Sequence, residues 1–277
     1  MKSYAEYETE AKAAAKKRFQ KWLIPLIVVG GVIGGAGGAI VGLAGVAVGA
    51  AAGCLIGLIV QKLITHFKAD READQRYTAD WCTEHGCQFV GEASPENGPF
   101  AGTGTRQESS MAIEGTLNEL PTFFYNFSYW TLTSNGKTTY EVEHPFKIMQ
   151  IWGRELPAKT LTFSTRGFFN KLSAFDKLDS ATTSQKQVDL ESIAFNKKFD
   201  LEIDDNADEV WIRQVFDPTT IDAVVAGSLE LPDLRYYDRC FWLIEGGHYQ
   251  AEKLDEMQTW QTKAANAIKH LSRIPPP

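Results

Sequence analysis

With 277 residues, 44% of them hydrophobic and 23% charged, the chain is long enough for a membrane segment plus one or two compact domains. Its net charge of −7 is unevenly spread: residues 1–68 hold eight Lys and Arg against three Asp and Glu, and the remainder 20 against 32, a net of −12. A remainder so acidic is repelled by phosphate backbones, which excludes nucleic acid and leaves proteins as the expected partners.

Residues 23–60 form an unbroken apolar run without charge, Asn, Gln or Ser, containing eleven glycines. A bilayer crossing takes ~20 helical residues, so the run predicts two crossings, about 22–41 and 44–64, joined by a turn near Gly42 to Gly45, with the 34–38 glycine cluster as the alternative turn. Gly30, Gly34, Gly38 and Gly42, then Gly45, Gly49, Gly53 and Gly57, recur at spacing four. Such stripes are bare grooves of the glycine-zipper kind, for packing within the hairpin or between copies in a homo-oligomer. Lys12, Lys16, Lys17, Arg18 and Lys21 precede the run, and Lys62, Lys68, Arg71 and Arg76 follow it. Basic residues on both sides place both termini in the cytoplasm, at a bacterial inner or plasma membrane, with lipid as a partner. A secretory signal would be far shorter, and 51–54 is followed by apolar rather than polar residues, unlike a lipoprotein site.

Residues 65–85 read as a helical stem capped by Gly86, 87–90 as a short strand and 91–110 as a polar loop. Two aromatic and β-branched runs within 121–152, joined by Ser134-Asn135-Gly136-Lys137, predict a β-hairpin. A strand is expected at 160–164, irregular chain at 173–187, a strand at 188–190, a short helix at 192–198 and an alternating strand at 199–203. Asn206 is expected to cap a helix through Phe216, Asp217 and Pro218 to open another ended by Gly227, and a strand over 239–245 to precede a final helix at 252–271. The fold class expected is α+β: a glycine-rich N-terminal transmembrane helical hairpin, then a soluble α+β domain with an antiparallel sheet and a C-terminal helix. The divisions are a basic cytoplasmic helix at 1–21, the hairpin at 22–64, the stem at 65–86 and the cytoplasmic domain at 87–277.

The segment Val188-Asp-Leu-Glu-Ser-Ile-Ala-Phe195-Asn-Lys-Lys-Phe199, with Asp204-Asp205 and the Phe216-Asp-Pro218 helix start, resembles a family of bacterial two-helix membrane proteins of unknown function with a cytoplasmic α+β domain. The resemblance runs loosely from Phe123 to Gly247 and implies no activity, so it transfers no catalytic residue. Glu191, Phe195, Asn196 and Phe199 read as its packing and capping positions.

No catalytic residue, cofactor or metal is assigned. Cys82-x2-His85-x-Cys87 is ligand-like, and Cys240 with His248 would complete a four-ligand zinc set if the fold gathered them; otherwise these residues belong to a helix end. Asp204, Asp205, Asp208 and Glu209 resemble a cation cluster, but read first as negative charge at a helix N-terminus, where the dipole favours it. The cysteines, Cys54 included, make no secreted disulfide framework and read as reduced thiols. The function expected is an integral membrane protein whose non-catalytic cytoplasmic domain binds a protein partner or organises a membrane assembly. The alternatives are an oligomeric membrane-perturbing or pore-forming element, and a zinc-dependent enzyme.

Overall fold

A computed structural model describes residues 2–38, 43–93, 104–117, 119–166, 184–237 and 239–272, which fall into two units, Met1–Trp81 and Cys82–Pro277. The first unit is an antiparallel pair of long helices, α1 (Tyr4–Gly38) and α2 (Leu43–Glu84), the latter entering the second unit over its last residues. Small side chains bring the two helices together: Ala11, Ala15, Ala69 and Ala73 are all buried along the seam. At its open end Tyr77 meets Tyr4 and Tyr7 edge-on, at ring separations of 5.5 and 5.7 Å. The Tyr4 hydroxyl donates to Asp74 at 2.7 Å, the Tyr7 hydroxyl donates to Asp80, and Arg18 pairs with Glu72. These contacts set an antiparallel register that continues to Gly31, where an added Cβ would stand 3.4 Å from Cys54 Sγ.

Asp80 holds the Tyr7 hydroxyl in its neutral form and pushes its pKa from 10 up to about 12. A raised folded-state value means this contribution is complete below pH 10 and is lost as pH climbs toward about 12. Melting curves of wild type and Tyr7→Phe should therefore converge across that window, with the wild type the more stable at neutral pH. A constant difference between them would refute the assignment.

Among the described residues no helix is long and apolar enough to cross a membrane. This corrects the expected transmembrane hairpin at 22–64, and with it the inner-membrane location with both termini cytoplasmic. The physical reason is length and composition. The described apolar stretches are 23–38 in α1 and 43–60 in α2, each below the ~20 residues of a crossing, and nine of the eighteen residues in the second are Gly or Ala. Pro25 lies well inside α1, and the alternative turn at 34–38 is helical. Gly30, Gly34 and Gly38 lie on α1 and Gly45, Gly49, Gly53 and Gly57 on α2, while Gly42 is outside the described residues. Gly31, the glycine at the described close approach, belongs to neither stripe. Val28, Val29, Val32 and Ile33 on α1, and Ile56, Ile59, Val60, Leu63 and Phe67 on α2, are exposed. Apolar faces of this kind mark contact surfaces.

The second unit is a nine-stranded sheet, antiparallel throughout. Its strands are β1 (Gln88–Gly91), β2 (Arg106–Leu117), β3 (Leu120–Ser134), β4 (Thr139–Trp152), β5 (Thr160–Thr165), β6 (Gln185–Gln187), β7 (Phe199–Asp204), β8 (Leu234–Tyr237) and β9 (Cys240–Gly246), in the order β1-β2-β3-β4-β9-β8-β5-β7-β6. Among the described residues its α-helices are α3 (Ile193–Lys198), α4 (Glu209–Val215), α5 (Pro218–Ala226) and α6 (Leu254–Leu271). Side-chain alternation divides the sheet into two faces. One carries Met149, Ile151, Leu161, Phe163, Leu201, Ile203, Phe241 and Leu243, all buried, and α6 packs there through Ile268 beside Phe241. The opposite face carries a second cluster of Tyr125, Phe127, Tyr129, Phe146, Ile148 and Ile244.

The expected hairpin is present as β3 and β4, closed by Asn135, whose Oδ1 accepts from the amides of Lys137 and Thr138 at 3.0 and 2.9 Å, with Gly136 at φ +82. Three strands differ from expectation. β6 forms at the end of the stretch 173–187 expected to be irregular. β2 begins inside the expected loop 91–110, and β8 occupies residues given no element. Residues 188–190 form no strand. Val188 donates one bond to Leu201, and Leu190 is clamped by Asn196, which donates to its carbonyl at 2.7 Å and accepts from its amide at 3.1 Å. Helix α4 is capped by Asp208 rather than Asn206.

Candidate functional site

The outer end of the β3–β4 hairpin projects beyond its neighbours in the sheet. Strand β2 pairs with β3 only as far as Arg106 opposite Trp130, and β9 meets β4 only from Phe146 onward. Beyond those points the two strands of the hairpin pair with each other alone among the described residues. Residues 139–144 of β4 therefore present a strand edge with no ladder partner there.

Backbone alternation shows which groups face outward. Gly247 donates to the Pro145 carbonyl at 2.8 Å, so Pro145 points toward the β9 side of β4. Alternate residues share that direction, and the free edge is lined by the N–H and C=O groups of Thr139, Glu141 and Glu143. Two of these three carry carboxylates, and Tyr140, 48% exposed, stands between Thr139 and Glu141 on the other face. The base of the hairpin is braced. Arg106 lies over the Trp130 ring at 3.9 Å, and Glu143 accepts from the buried Ser128 at 2.7 Å.

Ser128, Glu143 and His248 form a set that spacing along the chain does not reveal. His248 Nε2 lies 2.8 Å from Ser128 Oγ and 3.3 Å from the Phe127 carbonyl. A carbonyl only accepts, so Nε2 carries the proton and donates, while the Ser128 hydroxyl is committed to Glu143. Ser128 is thus an acceptor from His248, and the set is not a nucleophile with its base. With Asn126, which exchanges two bonds with the Tyr249 backbone at 2.8 and 3.0 Å, it fastens the turn after β9 to β3.

The candidate zinc ligands are only partly gathered. Cys82 and Cys87 meet at the end of α2. His85 is exposed at that helix end, Cys240 is buried opposite Trp152 with Sγ 3.7 Å from the Phe241 carbonyl, and His248 is engaged with Ser128. Among the described residues no group of three His, Cys, Asp or Glu side chains is placed to hold a metal ion. The carboxylate run disperses likewise. Asp204 is buried and accepts from the amides of Lys159 and Thr160, Asp208 caps α4, and Glu209 pairs with Arg213 and Lys186, which hold its carboxyl below the usual range.

Two clefts flank the helices. One, of about 220 Å³, has a floor of Leu190, Phe216, Pro218 and Ile221 and a rim bearing Glu191 and Arg213. The other, of about 250 Å³, lies between Trp260, Pro232 and Asp233; burial pushes the Asp233 carboxyl up, and its Oδ1 accepts from Thr165 N. Of the four residues read as packing and capping positions, Phe199 stacks on Phe163, Phe195 meets Phe199 at a tilt and Phe216 edge-on, Asn196 clamps Leu190, and Glu191 is exposed.

No protein-family model matches the chain, and no curated protein matches it. Among solved structures, the crystal structure of the mycobacterial trehalose monomycolate transport factor A, TtfA, is similar with a TM-score of 0.43 at 8% identity, over 74% of this chain and 97% of that one.

Proposed function

We propose that the second unit is a protein-binding module that takes up an extended basic segment of a partner by strand addition to the outer edge of β4. The observation that carries this reading is the edge at 139–144, where backbone donors and acceptors are aligned without a ladder partner among the described residues. An extended peptide laid on such an edge gains main-chain hydrogen bonds, and its side chains select the sequence. Charge supplies the selection here. Glu141 and Glu143 flank the edge, and residues 82–277 hold 18 Lys and Arg against 28 Asp and Glu, a net of −10. Carboxylates on an edge also oppose pairing between two copies of it, which leaves the edge open to a strand of opposite sign.

Isothermal titration of the full-length protein with short peptides of alternating Val and Lys, and with Glu-for-Lys counterparts, tests this. The basic peptides should bind and the acidic ones should not. Glu141→Pro removes an outward N–H that the β3–β4 ladder does not use, and proline is tolerated on strand edges. It should weaken binding at least ~10-fold, about 1.4 kcal/mol, with the melting temperature held. Affinity indifferent to Glu141→Pro and to peptide charge would end the proposal.

A further inference from the structure

Helix α2 ends in a left-handed turn that joins two cysteines. Glu84 is its last residue, Gly86 adopts φ +68, and the Cys87 amide donates to the Cys82 carbonyl at 2.9 Å. This bond from the residue after the left-handed glycine back to the third residue from the helix end defines the Schellman motif. Its usual accompaniment is contact between the side chains at those same two positions. Here both are free thiols in hydrogen-bond contact with each other. Room for Cys87 comes from the facing strand: Gly115 on β2 lies opposite, and a Cβ there would stand 2.8 Å from Cys87 Cβ. Cys82 is 1% exposed, whereas Cys87 is only half-buried.

We propose that Cys82 and Cys87 are a redox-active dithiol that reduces small-molecule disulfides and closes to an intramolecular disulfide across the end of α2. The half-buried Cys87 is the attacking group and the buried Cys82 the resolving one. Exposure assigns these roles: Cys82 is closed off from solvent, and Cys87 is the sulfur that an incoming disulfide reaches. With glutathione disulfide as the oxidant, the Cys87 thiolate attacks one sulfur, the S–S bond of glutathione breaks, and one glutathione thiolate leaves. Cys82 passes its proton to that thiolate and attacks the Cys87 sulfur, forming the Cys82–Cys87 bond and releasing the second glutathione as thiolate. One disulfide is reduced to two thiols and one dithiol is oxidised. The turn is closed by backbone bonds before oxidation, so the reaction needs side-chain movement alone.

The test uses the full chain equilibrated in glutathione buffers of graded oxidation, then acid-quenched, alkylated and digested with trypsin. The peptide 77–106 contains both residues. As the buffer becomes oxidising, this peptide should lose both alkyl groups together and appear two hydrogens lighter, without bound glutathione. Cys82→Ser should trap glutathione on Cys87, and Cys87→Ser should leave Cys82 unmodified over the same period. A wild-type peptide that keeps both thiols across the series, or that stops at glutathione on Cys87, overturns the proposal. So does faster modification of Cys82 in Cys87→Ser than of Cys87 in Cys82→Ser.

Discussion

Replacing Phe195 by Ala should destabilise the second unit by about 3–5 kcal/mol, the range for removing a fully buried aromatic ring. Phe195 is 1% exposed and meets Phe199 at 5.1 Å, Phe216 at 5.6 Å and Phe163 at 6.2 Å between ring centres. Phe163 belongs to β5, Phe199 to β7 and Phe216 to the junction of α4 and α5. The ring therefore ties helix α3 to the sheet and to the next two helices, and short helices hold their shape through such packing rather than through propensity. None of these elements can close the cavity alone, because Ser192 caps α3 and Asn196 clamps Leu190 at a fixed distance. Urea unfolding followed by the fluorescence of Trp211, buried on α4, reads the loss as a lower midpoint at unchanged slope. A loss below about 1 kcal/mol would mean that the aromatic cluster is not a shared core.

The elements legible in the sequence are those with local chemistry. Asp217 accepts from Thr220 N, Pro218 occupies the first turn of α5, and Gly227 ends it at φ +76, all as those residue types require. Asn135-Gly136 closes its hairpin for the same reason. What escapes a reading of the sequence depends on partners far along the chain. β2 is largely polar, and its apolar residues other than Leu117 lie at an irregularity between Ser110 and Ile113 where Met111 takes φ +53, so no alternation marks it. β8 has four residues and exists because β5 and β9 pair with it on either side. The acidic edge is invisible for a related reason: whether β4 has a neighbour at 139–144 is decided by where β9 stops. The apolar run 23–60 misleads in the opposite sense, because a count of apolar residues gives glycine and alanine the weight of leucine although they bury little surface.

Asp204→Ala should cost about 2–4 kcal/mol, and Asp204→Asn markedly less. The residue belongs to a run that reads as either a cation site or helix-end charge, and its geometry answers neither description. Its side chain is 3% exposed at the end of β7, and Oδ2 accepts from Lys159 N at 2.8 Å and Thr160 N at 3.4 Å. It thereby fixes the entry to β5, the strand that pairs with both β7 and β8. Removing the carboxylate leaves the buried Thr160 amide without this acceptor, and an unsatisfied buried donor carries the full desolvation penalty. Asparagine keeps one oxygen in place and so retains most of the bonding, which a cation ligand would not do, because coordination draws on the negative charge. Thermal melting of both variants with and without millimolar calcium separates the two roles. Equal losses in Asp204→Ala and Asp204→Asn, with calcium stabilising the wild type alone, would return Asp204 to the cation reading. The ordering expected here, alanine well below asparagine and no response to calcium, makes it the acceptor that seats β5.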